Sequence, residues 1–337
     1  MPTKSLQEHL FQQVKVRLPQ ATPLVDAVAE VLHLSNDSAY RRIRGETPLV
    51  LEEVQTLCNT YNISLDQLLQ VKSNTASFNV MRVNNRDHDF AKYWTDLLQT
   101  LQWVAAHGQK QIIYMTKDMP FIYNFCFKPL FAFRHFFWMK SILQHPDFVN
   151  RAFSVDCLPP DIEALGKQIL KVYNDIPSIE LWNTESFNST LAQIEYYEDA
   201  GFFARDEDAQ LLYGTMLQLM QHLQQQAEWG CKFLPGENPS ARPENYAFYY
   251  NRVVLGDNTI VITTDDVKTL YLNYDVLDYM VTQDEELCNN MYGKLQNLMR
   301  RSTRISSSSE RQRHHFFNLL YQKIPKEKRP QFNDILP

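Results

Sequence analysis

Three arginines, Arg41, Arg42 and Arg44, crowd the stretch Ser-Asn-Asp-Ser-Ala-Tyr-Arg-Arg-Ile-Arg-Gly that runs from Ser35 to Gly45. A guanidinium is a planar fork of donors that matches the edge of a guanine or the oxygens of a phosphate. Asn36, Ser38 and Tyr40 add amide and hydroxyl groups of the kind that read a base or fix a side chain on the backbone. Ser35 is a good N-cap for a short helix, and Gly45 suits its C-terminal close. Ala39 and Ile43, four apart, point inward on such a helix. Asn36, Asp37, Ser38, Tyr40, Arg41 and Arg44 are then left at or near the outer face. The chemistry this predicts is DNA recognition: Arg41 and Arg44 on guanine or phosphate, Asn36, Ser38 and Tyr40 reading or positioning, Arg42 reaching a backbone phosphate.

The flanking sequence holds such a helix in place. Val28, Ala29 and Leu32 form one face of a preceding helix, the small Ala29 allows a close crossing, and Leu34 anchors the turn. Thr22 and Pro23 read as N-cap and first helical residue. Leu6, Leu10, Phe11, Val14 and Leu18 give a helix before it. Leu51, Val54, Leu57 and Cys58 give one after it, with Asn62 at its left-handed end. Ser64 and Gln67 form a capping box for a last short helix ending near Leu69. The N-terminal region is therefore expected to be an all-α helix-turn-helix bundle over residues 1–72. Its seven basic and eight acidic residues make it slightly acidic. Binding to DNA must then rest on the local arginine cluster, and a bundle used only for docking another protein is the competing reading.

Thr22 to Leu69 resembles the helix-turn-helix of the phage-repressor (Cro, XRE-type) family. The residues that carry the likeness are Val28-Ala29-Glu30-Val31-Leu32, Leu34-Ser35, Ile43-Arg44-Gly45 and Ile63-Ser64-Leu65-Asp66-Gln67-Leu68-Leu69. The resemblance implies double-stranded DNA read by the second helix, and because one such helix covers too few base pairs for useful selectivity, a dimer is expected. Two departures stand out: His33 takes a turn position that is usually glycine in that family, which predicts a looser turn, and Asp37 brings a carboxylate toward the DNA. The whole chain is also similar to bacterial regulators that join such a head to a larger C-terminal domain of unassigned ligand. Tyr114 to Pro120, Leu255 to Thr259 and Ile305 to Phe317 carry that second likeness, which implies architecture and no chemistry.

A chain of 337 residues, 44% hydrophobic, is long enough for two or three domains with real cores. A net charge of −6 excludes a protein that coats nucleic acid nonspecifically, because that mode needs many phosphate contacts. Five cysteines, odd in number and without a C-x-x-C pair, fit reduced thiols in a cytoplasm and neither a disulfide frame nor a zinc site. No signal peptide is read at the start. Phe121 to Leu143 is apolar but carries Lys128, Pro129, Arg134, His135 and Lys140, which speak against a membrane span. Residues 73–85 read as a linker and 86–337 as a mixed α/β (α+β) domain for dimerisation or sensing. Its expected elements are helices at 90–106, 186–197, 206–228, 285–299 and 311–324, and strands at 111–115, 179–182, 246–255, 259–264 and 269–273. The strands at 246–255 and 259–264 are expected to form a hairpin through Gly256-Asp257-Asn258.

Phe121 to Trp138 holds nine aromatic residues in eighteen. Core packing is the leading reading, ahead of a dimer surface or a ligand pocket in which Lys128, Arg134 or His135 orients a polar group. Arg300, Arg301, Arg304, Arg311 and Arg313, with one acid among them, Glu310, could hold an anion or touch the DNA backbone. The alternative there is a solvated junction with a Ser307/Glu310 capping box. Lys128, Arg134, Arg300, Arg301 and Arg304 are the candidates for a ligand or anion. P-loop, nucleophile-elbow, zinc-protease and dinucleotide motifs are missing from the sequence, and Glu195, Glu198 and Asp199 read as a solvated helix end. The expectation is a cytoplasmic, non-enzymatic transcription regulator, homodimeric, without metal or cofactor, with an unidentified small-molecule effector left open and an enzyme with a regulatory head as a rival reading.

Overall fold

The computed structural model describes residues 5–18, 22–61, 63, 65, 68, 76–81, 90–253, 256–265 and 267–329. Its contacts divide the chain into two compact units, 1–77 and 78–337.

The first unit contains helices α1 (Leu6–Arg17), α2 (Leu24–Leu32), α3 (Asn36–Ile43) and α4 (Leu51–Thr60). Leu10, Phe11, Val14, Val28, Ala29, Ala39, Leu57 and Cys58 share one buried cluster, so the apolar faces expected from periodicity meet in a single core. Leu51, placed on the α4 stripe from its spacing, is instead exposed at the first turn of the helix. The start of α2 differs by one position: Pro23 is the N-cap and makes no side-chain capping bond, so Thr22 does not cap this helix. The Ser64/Gln67 capping box lies outside the described residues.

The second unit is built on a mixed sheet with eight strands among the described residues. In order across the sheet they are β1 (Asn79–Met81), β7 (Tyr279–Thr282), β6 (Val267–Asn273), β5 (Thr259–Thr264), β2 (Lys110–Met115), β3 (Ser178–Trp182), β4 (Tyr246–Tyr250) and β8 (Thr303–Arg304). β2, β3 and β4 are parallel, which demands long helical crossovers, and every other pairing is antiparallel. α5 (Phe90–Ala105) leads into β2, and the crossovers supply helices α6 (Lys128–Phe137), α7 (Pro146–Val149), α8 (Pro160–Asp175), α9 (Asn188–Asp199) and α10 (Asp206–Trp229). With α12 (Glu310–Tyr321) they bury one large core against one face of the sheet. α11 (Glu285–Arg300) packs Cys288 and Leu295 with Ile113, Leu181, Val261 and Leu270 in a separate cluster. The fold is thus mixed α/β, as the sequence pattern implied.

Phe121–Trp138 proves to be core: a 3-10 turn (Phe121–Cys126) and α6 bury most of its rings. Gly166 on α8 shows how tight this packing is, since a Cβ there would lie 2.6 Å from the Phe131 ring. Beneath the aromatics the fully buried Glu180 accepts hydrogen bonds from the hydroxyls of Tyr123 (2.7 Å), Tyr173 (2.5 Å) and Tyr246 (2.9 Å) and from Trp182 Nε1 (2.8 Å). Four donors satisfy a carboxylate that burial would otherwise make costly. Lys232, also fully buried, donates to the Tyr173 carbonyl at 2.6 Å, and burial lowers its pKa to about 7.

Three expectations need correction. β4 and β5 do not form a hairpin, because β2 and β3 lie between them; β4 ends at Tyr250 and continues the parallel set begun by β2. The range 73–85 contains a strand, β1, paired with β7 at Asn79↔Val281 and Met81↔Tyr279. The Ser307/Glu310 capping box does not form: Ser309 precedes α12 in a left-handed conformation, without a side-chain cap. The five cysteines are free. Among the described residues no helix is long and apolar enough to cross a membrane, and no cluster of three or more histidine, cysteine or carboxylate side chains could hold a metal.

Candidate nucleic-acid interface

α2 and α3 meet through a turn made by His33, Leu34 and Ser35. His33 sits in the left-handed region, φ 53° and ψ 47°. Leu34 N–H reaches back to the Ala29 carbonyl at 2.9 Å and His33 N–H to that of Glu30 at 3.3 Å, the paired bonds of a Schellman close. The turn is therefore as tight as a glycine would make it, contrary to the looser turn predicted, and the backbone cost falls on His33. Ser35 Oγ then accepts from Ser38 N–H at 3.3 Å and starts α3. At the far end Arg44 is the C-cap and Gly45 follows at φ 76°, where Gly45 N–H and Glu46 N–H satisfy the carbonyls of Arg42 and Arg41.

Ala39 is fully buried, and its burial fixes which residues of α3 face outward. Asn36, Asp37, Tyr40, Arg41 and Arg44 are exposed, and Ser38 is half-buried. The Arg44 guanidinium lies 4.4 Å from the Tyr40 ring centroid, with Nη2 3.3 Å from the Tyr40 hydroxyl. This stack holds the charge on the outer face at little entropic cost. Asn36 donates to Asp26 on α2 at 3.0 Å, and the Ser38 hydroxyl contacts that of Ser35 at 3.0 Å. Those two side chains are thus oriented by neighbours.

Arg42 faces the other way. Its Nη2 and Nε lie 2.8 and 3.0 Å from the two carboxylate oxygens of Glu53 on α4, and Nη1 donates to the Ser38 carbonyl at 3.3 Å. Both side chains of the pair are largely buried, 17% and 16% exposed. Arg42 is thus a bidentate strut between α3 and α4, and the phosphate contact expected of it would have to compete with this pairing. Glu53 also accepts from Val50 N–H at 3.1 Å and so fixes the start of α4.

Gln7, Glu46 and Glu53 shape this surface and escaped the sequence reading. Gln7 on α1 donates to the carbonyls of Arg42 (2.6 Å) and Thr47 (2.8 Å) and accepts from Leu49 N–H (3.1 Å). It pins the segment after α3 through contacts 35 to 42 residues away in sequence. Glu46 lies 3.9 Å from Arg41 and 3.6 Å from Arg44 and partly neutralises both. Only the Val50-to-Glu53 spacing hints at one of these roles, because Glu sits three residues after a helix start.

Four of the five candidate anion ligands of the second unit have local side-chain partners. Lys128 pairs with Glu163 at 3.6 Å. Arg134 is buried on α6, bonded to Gln193 and to Thr190 (2.8 Å), and burial lowers its pKa to about 10. Arg300 contacts Asn297, Arg304 contacts Ser306 and Glu244, and Arg301 is exposed at the end of α11. Arg313, read with the basic run, is buried and caps the carbonyls of Ile305 and Ser308 at 3.1 Å each. The run is therefore divided between exposed charges and one structural arginine.

Comparison with protein families matches residues 12–93 to the BetR domain, a helix-turn-helix-type DNA-binding domain. The match includes the whole α2-turn-α3 segment and runs past the division after residue 77 to the first turn of α5. No curated protein and no solved structure matched the chain. The first part of the chain is thus similar to a class of DNA-binding regulatory heads.

Proposed function

We propose that the chain is a sequence-specific transcription regulator that binds double-stranded DNA as a homodimer through α3. The observation that carries this reading is the outer face of α3, where Arg41 and the Tyr40-stacked Arg44 project while Ala39 is buried. The BetR-domain match over the same residues supports it. In this reading α3 enters the major groove in the manner of the phage-repressor (XRE-type) heads that the sequence resembles, with Asn36, Ser38 and Tyr40 at its base-facing side. One such helix covers too few base pairs for useful selectivity, so two copies bind half-sites about one DNA turn apart. The second unit supplies dimerisation and sensing and no catalysis, and the protein works in the cytoplasm. Arg41→Ala combined with Arg44→Ala tests the proposal: specific binding is lost while circular dichroism and oligomeric state are unchanged. Retained binding by this variant would remove α3 from the interface.

A further inference from the structure

A cavity of about 70 Å³ lies in the second unit between α5 and the sheet. Its wall is aromatic, with Tyr93, Tyr114, Phe121, Tyr173, Tyr271 and Tyr279 joined by isoleucines of β2 and β5. Five tyrosines would ordinarily make a polar pocket, yet this wall is carbon almost throughout, and two of the hydroxyls are hydrogen-bonded away from it. Tyr93 gives its hydroxyl to the Leu277 carbonyl at 3.2 Å, and Tyr173 gives its own to Glu180. The Tyr114 hydroxyl is buried beside that of Tyr279. The rings, and not the hydroxyls, face the space. Water held there would need two to four polar partners and finds almost none.

We infer that this cavity is a binding site for a small, uncharged, apolar effector, and that its occupant stabilises β1. The first half follows from the wall: a charge would enter without a counter-charge, whereas a ring edge or alkyl end replaces empty space with dispersion contacts. The enclosed volume is about half of the ~150 Å³ that accepts benzene in an engineered cavity. A ligand therefore inserts one end and rests the remainder at the mouth, where Leu97 and Thr100 are half-buried. The second half follows from the register. Met81 of β1 and Tyr279 of β7 are paired opposite each other, and both line the cavity. β1 has three residues, pairs with β7 alone and is the first strand after the division at residue 77, so it is the part of the wall with least support of its own.

The term effector rests on the regulator reading above, but both halves are measured without DNA, so their failure is separable from failure of that reading. The full-length protein is heated with and without millimolar toluene or 1-hexanol, and amide hydrogen exchange is followed in residues 76–81. Expected are a rise of about 2 °C in the midpoint at near-saturating probe and severalfold slower exchange in β1. Thr100→Phe at the mouth and Ile260→Phe on the wall fill the space, and either folded variant loses both responses. Absence of a thermal shift with both probes, or an equal shift in the filled variants, overturns the site. A shift without slower exchange in β1 overturns the coupling to that strand.

Discussion

Replacing Arg42 separates a structural arginine from its exposed neighbours Arg41 and Arg44 within one helix. Arg42→Ala removes a bidentate partner from Glu53 and leaves that carboxylate only its bond from Val50 N–H. Breaking a fully buried pair costs about 3–5 kcal/mol, and an exposed pair about 0–1 kcal/mol. With both side chains roughly one-sixth exposed, a loss of about 2 kcal/mol is expected in the first unit. By native-state amide exchange this is about a thirtyfold acceleration in α2, α3 and α4, with the second unit unchanged. Arg42→Met with Glu53→Met restores much of the protection, since the uncompensated carboxylate is gone. The slope of log affinity against log salt stays as in the parent, because no phosphate contact has been deleted. Unchanged exchange together with a slope flatter by about 0.9 for each protomer would refute the strut and return Arg42 to the DNA.

Glu46→Gln removes the carboxylate beside Arg41 and Arg44, and DNA affinity at low salt should tighten about threefold, read by fluorescence anisotropy. His33→Gly frees the left-handed turn residue and should stabilise the first unit by about 0.5–1 kcal/mol, seen as slower exchange in α2 and α3. The second unit should lose stability in acid through His135, packed against Phe90 and Phe148, and through His222, held at the Phe233 carbonyl; burial lowers the pKa of each to about 4. The unfolded imidazole titrates near 6.5, so its contribution is complete above that pH and disappears as pH falls from 6.5 to 4. The cost is about 2 kcal/mol for each imidazole at pH 5 in urea titrations, and His135→Phe should remove about half of the fall; an unaltered profile would mean that His135 is not among the groups responsible.

The first unit was legible because its signals are local. Ser35, Ala39, Ile43 and Gly45 mark the start, inner face and end of α3 within eleven positions, and each takes the place that spacing assigns. The pairing of Arg42 was not legible because periodicity reports which face a residue occupies and says nothing of a partner eleven residues on. A long side chain at the edge of a face turns toward whichever charge the tertiary fold supplies, here Glu53. Gln7 was invisible for the same reason at longer range, since nothing near it in sequence marks a side chain that binds backbone on another element. In the second unit α5, β2, β3 and α10 follow from apolar pattern and length. The order of the strands does not. A turn-like Gly256-Asp257-Asn258 suggested a hairpin, but Asn258 Oδ1 instead accepts from Lys117 and Asp118 N–H, tying this segment to the end of β2. Short β1 and β8 carry too few residues for any alternation to be read. The cavity was beyond sequence altogether, because tyrosines look polar until the fold is seen to turn their rings, and not their hydroxyls, to the space, with those of Tyr93 and Tyr173 bonded elsewhere.

The central claim is that α3 reads DNA in two copies. It is tested most directly by selecting bound sequences from a random duplex library with the full-length protein at two salt concentrations. The account predicts an enriched two-fold-symmetric motif with half-site centres about 10 base pairs apart, lost when Arg41 and Arg44 are both alanine. Absence of enrichment at either salt, or enrichment that survives the double substitution, would contradict it.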